Sequence, residues 1–352
     1  MRIANKISKA STAGLVLTFF LIPPALFARC PIPSNGTLEV VAPAGNLIID
    51  TSGTDGVDWD VTGNQINVKQ SCNGSVVHIE GTAAGGAVRP IPDWHIKVPR
   101  TVVLDLVTHA GSITIGDSDN AINARTGGGA VFVGNVNGEL SIMSRAGNIQ
   151  AGDISGNADI RSSEGGNIVL GNVKGVATPW TLAGDITIVS ARKIADAFTG
   201  GGNMLIKQVF TSFKGKSGAG NIRIEEAGSS VDASTGSGSI YLKLVPGRQN
   251  GELHVNLDAT GDIQVWLPKG MKADIQATAQ GSQIHSDFPM VAQAQRGGFR
   301  GLPPSDPGAK TPKAFAAPPS AFQTTETGQR NGGGSPIHMH TTVGKVEIKL
   351  FN

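Results

Sequence analysis

Acidic and basic side chains that could carry out acid–base catalysis are dispersed along this chain of 352 residues. Cleavage of a glycosidic bond needs two carboxyl groups beside one bond, so stacked β-structures with this activity group such residues on neighbouring repeats. Asp159, Asp196 and Asp232 fall near one position of the sequence pattern, but not all on adjacent repeats. The basic residues are scattered: Lys174, Arg192 and Lys193. Nucleophile-elbow, phosphate-loop and zinc-site spacings are also missing, so we predict a protein that is not an enzyme and needs no cofactor.

His338 and His340 are two residues apart, so on a strand both side chains would point to one face, which we expect to be the outer one. Such a pair could supply two ligands to a metal ion, but two ligands do not complete a site. We therefore expect an ordinary surface pair and no metal.

Aromatic and basic side chains share one position, four residues before a glycine that recurs through the chain. The residues at this position are Arg125, Met143, Ser162, Trp180, Phe198 and Lys216. Trp180 and Phe198 would lie about 5 Å apart on adjacent repeats. If they face solvent, they form with Arg125 and Lys216 a candidate ligand surface, suited to stacking on sugar rings or to docking of a partner. If the repeat has the opposite phase, both rings belong to the core, and both alternatives stay open.

The recurring glycines are spaced 18 or 19 residues apart from Gly111 to Gly238, and apolar residues stand two and four positions after each. Such regular repetition is typical of a solenoid, in which each repeat covers the hydrophobic face of its neighbour. A hydroxyl residue precedes each glycine by three positions: Thr108, Thr126, Ser144, Ser163, Thr181, Thr199, Ser217 and Thr235. These hydroxyls would form a hydrogen-bonded ladder if they point inward and a polar stripe if they point outward.

We predict an all-β fold, a single-stranded β-solenoid like a right-handed β-helix, with coils of about 18 residues and an irregular β cap at the N-terminus. Apolar and polar residues alternate as on strands with one buried face. The left-handed β-helix is disfavoured, because it needs an aliphatic residue at every sixth position. Glycines, with the Asn or Asp that often follow them, are expected to form turns with positive φ. One inward column should contain Ile113, Ile149, Ile186, Ile222 and Ile240.

Residues 1–28 have the pattern of a secretory signal peptide: a basic start, an apolar run and small residues before the cleavage point. Pro23 and Pro24 end the apolar run too early for a membrane span. We therefore expect an exported protein, in the periplasm, at the cell surface or secreted, with no integral membrane segment after cleavage. Loss of three of the 29 basic residues would leave 26 against 27 acidic ones, which gives no case for binding nucleic acid.

The sequence also predicts how the rest of the chain is organised. Cys30 and Cys72 are the two cysteines, and in an oxidising compartment we expect them to form one disulfide. The proposed segments are a β-rich N-terminal cap at 29–100, the solenoid at 101–285, a flexible insertion rich in Pro, Gly and Gln at 286–334, and a final solenoid coil at 335–352.

These patterns resemble the bacterial "putative adhesin" family of exported β-strand-repeat proteins, a domain of unknown function. The likeness depends on Ile96–Pro99, Leu104–Ile113 and Ile284–Pro289, on the repeated Thr/Ser-x-x-Gly-x-Ile units, and on the closing Thr341–Ile348. It covers most of the chain after the signal peptide. The resemblance implies the fold but brings no catalytic residues, and the long Pro/Gln-rich insertion departs from the family's short connection.

We expect an exported, non-enzymatic solenoid with adhesin-like binding at the cell surface or envelope, where a surface glycan or an envelope protein would be the partner. One alternative is a structural protein that assembles with itself, and another is a carbohydrate-active β-helix enzyme. The oligomeric state is not predictable from the sequence.

Overall fold

The computed structural model describes residues 29–62, 66–85, 91–246, 253–280, 283–293 and 323–352. The predicted signal peptide at 1–28 lies outside these ranges. The described chain is all β. The strands of its N-terminal part are β1 Cys30–Pro31, β2 Thr37–Ala42, β3 Asn46–Gly53, β4 Gly56–Val61, β5 Ile66–Asn73, β6 Val76–Ala83 and β7 Asp93–Pro99.

The middle of the chain contains the most regular strands. They are β8 Val103–Thr108, β9 Ile113–Ile115, β10 Ile122–Thr126, β11 Val131–Val133, β12 Leu140–Ala146, β13 Ile149–Ala151, β14 Ala158–Gly165, β15 Ile168–Thr181, β16 Ile186–Thr199, β17 Met204–Ser217, β18 Ile222–Ala227, β19 Ser230–Thr235, β20 Ile240–Leu244, β21 Val255–Ala259 and β22 Ile263–Pro268. The C-terminal strands are β23 Ala273–Gln280, β24 Ile284–Ser286, β25 Val291–Gln293, β26 Gln323–Arg330, β27 Ser335–Thr341 and β28 Val346–Phe351.

Parallel pairing between successive repeats builds two long stacks of strands, consistent with a β-solenoid. Stack A runs through β8, β10, β12, β14, the ends of β15, β16 and β17, and then β19 and β21. Stack B runs through β9, β11, β13, the starts of β15, β16 and β17, and then β18, β20 and β22. Leu104, Ile122 and Leu140 are neighbours in stack A, so each step along this part of the stack advances 18 residues.

Apolar side chains between the two stacks form one continuous core. The predicted inward column is confirmed: Ile113, Ile149, Ile186, Ile222 and Ile240 lie in one register on stack B and are fully buried. Alternation along each short strand places one side chain inward and the next outward, as in the buried–exposed–buried pattern of β13.

The recurring glycine marks the place where successive repeats approach most closely. A Cβ built on Gly184 would overlap the carbonyl group of Gly166, and the φ angle of Gly184 is 138°. A side chain is therefore excluded both by its neighbour and by its own backbone. The hydroxyl column points inward, and Thr199 donates a hydrogen bond of 2.8 Å to the carbonyl oxygen of Gly184. This bond satisfies a polar backbone group at the edge of the core.

The prediction is wrong for one position of the hydroxyl column. Ser162, not Ser163, is buried at this position, and its hydroxyl donates to the carbonyl oxygen of Gly165. The repeat here has 19 residues, and the register shifts between Ser144 and Ala146 where the extra residue is accommodated.

The Asn and Asp residues that follow the glycines have a second role, which their preference for turns does not predict. The side-chain oxygen of each accepts a hydrogen bond from the backbone N–H at the same position of the next repeat. Asp185 Oδ1 accepts a hydrogen bond of 2.7 Å from the backbone N–H of Asn203, and Asn203 Oδ1 accepts one of 2.9 Å from the backbone N–H of Asn221. This ladder continues through Asn221 to Ser239. It links neighbouring repeats on the outside of the turn.

Two pairs of strands near the ends of the chain, β2 with β3 and β27 with β28, lie one layer inside the ends of the stacks. In stack A, β2 lies between β6 and β8, and in stack B, β3 lies between β7 and β9. At the other end, β27 lies between β21 and β23, while β28 lies between β22 and β24. The two strands of the segment at 335–352 thus lie in an interior layer of each stack.

Antiparallel strands close both ends. At the N-terminal end, β5 pairs with β6 and β4 pairs with β7, and the predicted disulfide joins Cys30 to Cys72 with a Cα–Cα distance of 6.0 Å. At the C-terminal end, β26 pairs antiparallel with both β23 and β25. Two strands, β25 and β26, lie within the segment 286–334, predicted to be an insertion. Its middle, 294–322, lies outside the described residues.

Replacement of Gly184 by alanine should destabilise the fold by about 1 to 3 kcal/mol, because the new methyl group meets a neighbouring backbone and requires an unfavourable φ. The matched control is Gly201→Ala, since no atom lies within 4 Å of a Cβ built on Gly201. Thermal and urea unfolding of both variants would measure the difference. Equal stability of the two variants would contradict the close approach of repeats at Gly184.

Candidate binding surface

The predicted ligand surface lies on the outside of stack A. Because the hydroxyl column is buried, the preceding position faces outward, and this settles the phase that the sequence left open. The outer row, as we call it, consists of Arg125, Met143, Arg161, Trp180, Phe198 and Lys216, each paired in register with the next. Arg161 replaces the predicted Ser162, since the extra residue of that repeat moves Ser162 into the buried column.

Trp180 and Phe198 form the centre of the outer row. Their ring centroids are 5.5 Å apart and their planes meet at 19°, so the rings are stacked on each other. Each side chain is half-buried. The stack covers one face of each ring, while the rest of the two rings borders the exposed residues of the row. These rings are therefore neither core residues nor fully free surface groups.

Further apolar surface lies close to the ring pair. Met143 in the outer row is 50% exposed, and Leu182 in the turn after Trp180 is also 50% exposed. The Leu182 side chain lies beside Gly200, two residues after Phe198. Arg161 separates Met143 from Trp180 in the row, so Leu182 is the nearer of the two to the ring pair.

Basic groups flank the aromatic pair on both sides. Arg161 precedes Trp180 in the row, and its Nε contacts the carboxylate of Asp159 at 3.3 Å. Arg125 and Lys216 are exposed, and within the described ranges neither makes an ion pair. The surface thus combines apolar and cationic groups, and the row itself contains no carboxylate between Arg125 and Lys216.

The acidic residues considered for catalysis occupy the next outward column of stack A. Asp159 accepts a hydrogen bond from the hydroxyl of Thr178 at 3.1 Å, and Asp232 accepts one from the amide of Asn256 at 3.2 Å. Asp196 is exposed at an irregular part of the pairing between β16 and β17. Asp159 thus contacts Thr178 and Arg161, and Asp232 contacts Asn256, and no two of the three carboxylates lie on adjacent strands of the stack.

His338 and His340 both point outward from β27, as the two-residue spacing predicts. His340 Nδ1 lies 3.0 Å from Asp258 Oδ1, and its other ring nitrogen lies 3.4 Å from the amide of Gln323. Each contact is to a side chain on a different strand. Across the part of the chain that the structure describes, no group of three or more His, Cys, Asp or Glu side chains is arranged to hold a metal ion.

A shallow depression on stack B escaped the sequence analysis. It has a volume of about 520 Å³ and contains the only tyrosine of the chain, Tyr241, with Gln264 and Glu347 beside it. The guanidinium of Arg223 lies 4.0 Å from the centre of the Tyr241 ring, and its Nε contacts Glu225 at 3.1 Å. The Tyr241 ring is thus already covered on one face by a cation, and no sequence motif marks this depression.

Asp153 in a turn beside stack B and Glu347 on β28 are among the carboxylates whose pKa values are lowered. For Asp153, the backbone N–H and side-chain amide of Asn172 donate to the carboxylate and hold its pKa below the ordinary value. For Glu347, a hydrogen bond and charge attraction from Lys349 lower the pKa. Both groups are therefore ionised at neutral pH. A carboxyl group meant to donate a proton would need the opposite shift.

Comparisons with known proteins give one structural similarity. No protein-family model matches the sequence, and no curated protein matches it. The chain is similar over 92% of its length, and over 98% of the other chain, to a crystal structure of a "putative cell adhesion protein" from Clostridium sporogenes, with 11% sequence identity and a TM-score of 0.20. A similarity this weak carries no conclusion about function, which has to be inferred from the surface itself. Within the described ranges, no helix is long and apolar enough to span a bilayer.

The stacked rings should stabilise each other. A double-mutant cycle of Trp180→Ala, Phe198→Ala and the double variant should give a coupling free energy of about 0.5 to 1.5 kcal/mol, as for other aromatic pairs. Urea unfolding would measure each variant. Additive losses would show that the rings do not interact, and losses of about 3 to 5 kcal/mol for each single variant would place them in the core.

Proposed function

We propose that this protein is an exported, non-enzymatic binding protein of the adhesin type, and that the outer row of stack A is its ligand surface. The observation that carries this proposal is the half-buried Trp180–Phe198 stack, in a row that also contains exposed Met143 and the exposed Arg125 and Lys216, which have no ion pair among the described residues. Folding does not require these side chains on the outer face, because other apolar residues already fill the core between the stacks. Aromatic and Arg side chains are the groups most enriched where proteins bind their partners.

The solenoid is proposed to be right-handed, with coils of about 18 residues, and to present this row as a straight line of side chains. A surface made of regularly spaced residues suits a ligand that is itself extended, such as a cell-surface glycan or a strand-like segment of an envelope protein. The disulfide between Cys30 and Cys72 supports an extracytoplasmic location, because such bonds persist in oxidising compartments.

Two other functions fit less well. Asp159 and Asp232 in the neighbouring column already accept hydrogen bonds from Thr178 and Asn256, and the two carboxylates lie on strands that are not adjacent, which argues against glycoside cleavage. Antiparallel strands already pair with the outer edges of β6, β7 and β23, three of the four strands at the ends of the stacks, which argues against growth by end-to-end strand pairing.

The wild-type chain 29–352 should bind immobilised bacterial cell walls or polysaccharides. The double substitution Trp180→Ala and Phe198→Ala should abolish this binding. The matched control is Phe132→Ala with Val169→Ala, which removes exposed apolar groups from stack B instead. Both variants would first be checked by circular dichroism at the assay temperature. Loss of binding in the control alone would move the ligand surface to stack B, and release of reducing sugars would identify an enzyme.

A further inference from the structure

The spacing of the basic groups in the outer row indicates what kind of ligand it takes. From Arg125 to Lys216 the row advances five strands, or about 24 Å at the usual distance between paired strands. Arg161 stands two strands after Arg125 and three before Lys216, so the positive charges are separated by about 10 and about 14 Å. Between them lie apolar side chains: Met143, Trp180 and Phe198.

We propose that the outer row binds an acidic polysaccharide, with Arg125, Arg161 and Lys216 contacting its carboxylates while the apolar residues contact the C–H faces of its sugar rings. This inference rests on the proposed function of the same surface and adds the ligand's chemical class. Sparse cations suit a chain that carries one carboxylate for every one or two sugars. The intervening apolar groups suit the uncharged parts of the same chain.

The same surface is unsuited to nucleic acid. Double-stranded DNA has one negative charge for about every 1.7 Å of its axis, far denser than the cations of the row. The neighbouring outward column contains Asp105, Asp159 and Asp232 against one cation, Lys214, so its excess of negative charge would repel a polyanion of that density. A flexible, sparsely charged polysaccharide can follow the row itself and avoid this column.

The two arginines and the lysine differ in how free they are to bind. Arg161 already contacts Asp159, so its guanidinium is held beside the row through one nitrogen while its remaining N–H groups can still donate. Arg125 and Lys216 are exposed and have no such contact in the described part of the chain. Arg125 and Lys216 are therefore the residues whose replacement changes binding with the least effect on folding.

The test compares polygalacturonate with its fully methyl-esterified form, which keeps the sugar backbone and loses the charges. The wild-type chain 29–352 should bind polygalacturonate, bind the methyl ester about tenfold or more weakly, and lose affinity as NaCl rises, since salt screens exposed charges. Arg125→Gln with Lys216→Gln should weaken binding of polygalacturonate by about tenfold. The matched control is Arg192→Gln with Lys193→Gln, which removes two exposed charges elsewhere on β16 and should bind as the wild type does.

The outcomes separate this inference from the proposed function. Equal binding of both polymers, lost in the Trp180→Ala and Phe198→Ala variant, would overturn the acidic class but keep the surface. Binding of duplex DNA as tight as that of polygalacturonate would also overturn it, in favour of a general polyanion surface. Equal losses in the row and control variants would show that only total charge matters. If neither polymer nor cell walls bind, both the inference and the proposed function are wrong.

Discussion

The close contact between successive glycines at one corner of each repeat is the constraint on which the rest of this structure depends. The backbones approach so tightly there that a methyl group on Gly184 would overlap the carbonyl of Gly166. That carbonyl still needs a hydrogen-bond donor, and the buried hydroxyl of Thr181 supplies it at 3.0 Å. Each repeat thus places a glycine against a glycine and a hydroxyl against a carbonyl. Any repeat that failed to do so would separate its neighbours and expose polar backbone to the core.

Because packing is concentrated in the inward columns, the outward positions are free to vary, and the two stacks use this freedom differently. Stack A carries the outer row, whose cations have few partners and whose rings stack only on each other. Stack B pairs its cations with its own rings: Arg223 lies over Tyr241, and Lys349 over Trp266 at 5.3 Å. A cation that already contacts a ring or a carboxylate has less to offer a ligand. The difference explains why the outer row of stack A is a better candidate for recognition than the depression around Tyr241 on stack B.

Much of the fold could be predicted from the sequence, because glycine spacing and apolar alternation are local patterns that report directly on packing. The inward isoleucines follow from them. The orientation of the hydroxyl column could not be predicted, since either orientation satisfies the same spacing. Whether Trp180 and Phe198 lie in the core or on the surface depends on that orientation. Ser162, and not Ser163, occupies the buried hydroxyl position because this repeat has one extra residue. Counting three residues back from the glycine cannot show where that extra residue is accommodated. The Tyr241 depression arises from side chains on different repeats that share no motif. The interior placement of β27 depends on pairing across more than seventy residues, which no local pattern encodes.

The placement of two strand pairs, β2 with β3 and β27 with β28, between layers has a consequence for the order in which the molecule can assemble. Most neighbours in the stacks are 18 residues apart, so the middle repeats can add one after another with short loop closures. By contrast, Leu38 must meet both Val77 and Leu104, and Val255 must meet Ile337. Strand β2 therefore waits for two later strands before it is paired on both edges. Strand β27 must enter between β21 and β23, which both precede it in the chain. Non-local closures of this kind raise contact order and slow folding, but once made they leave neither strand pair as an outermost layer from which the ladder could fray.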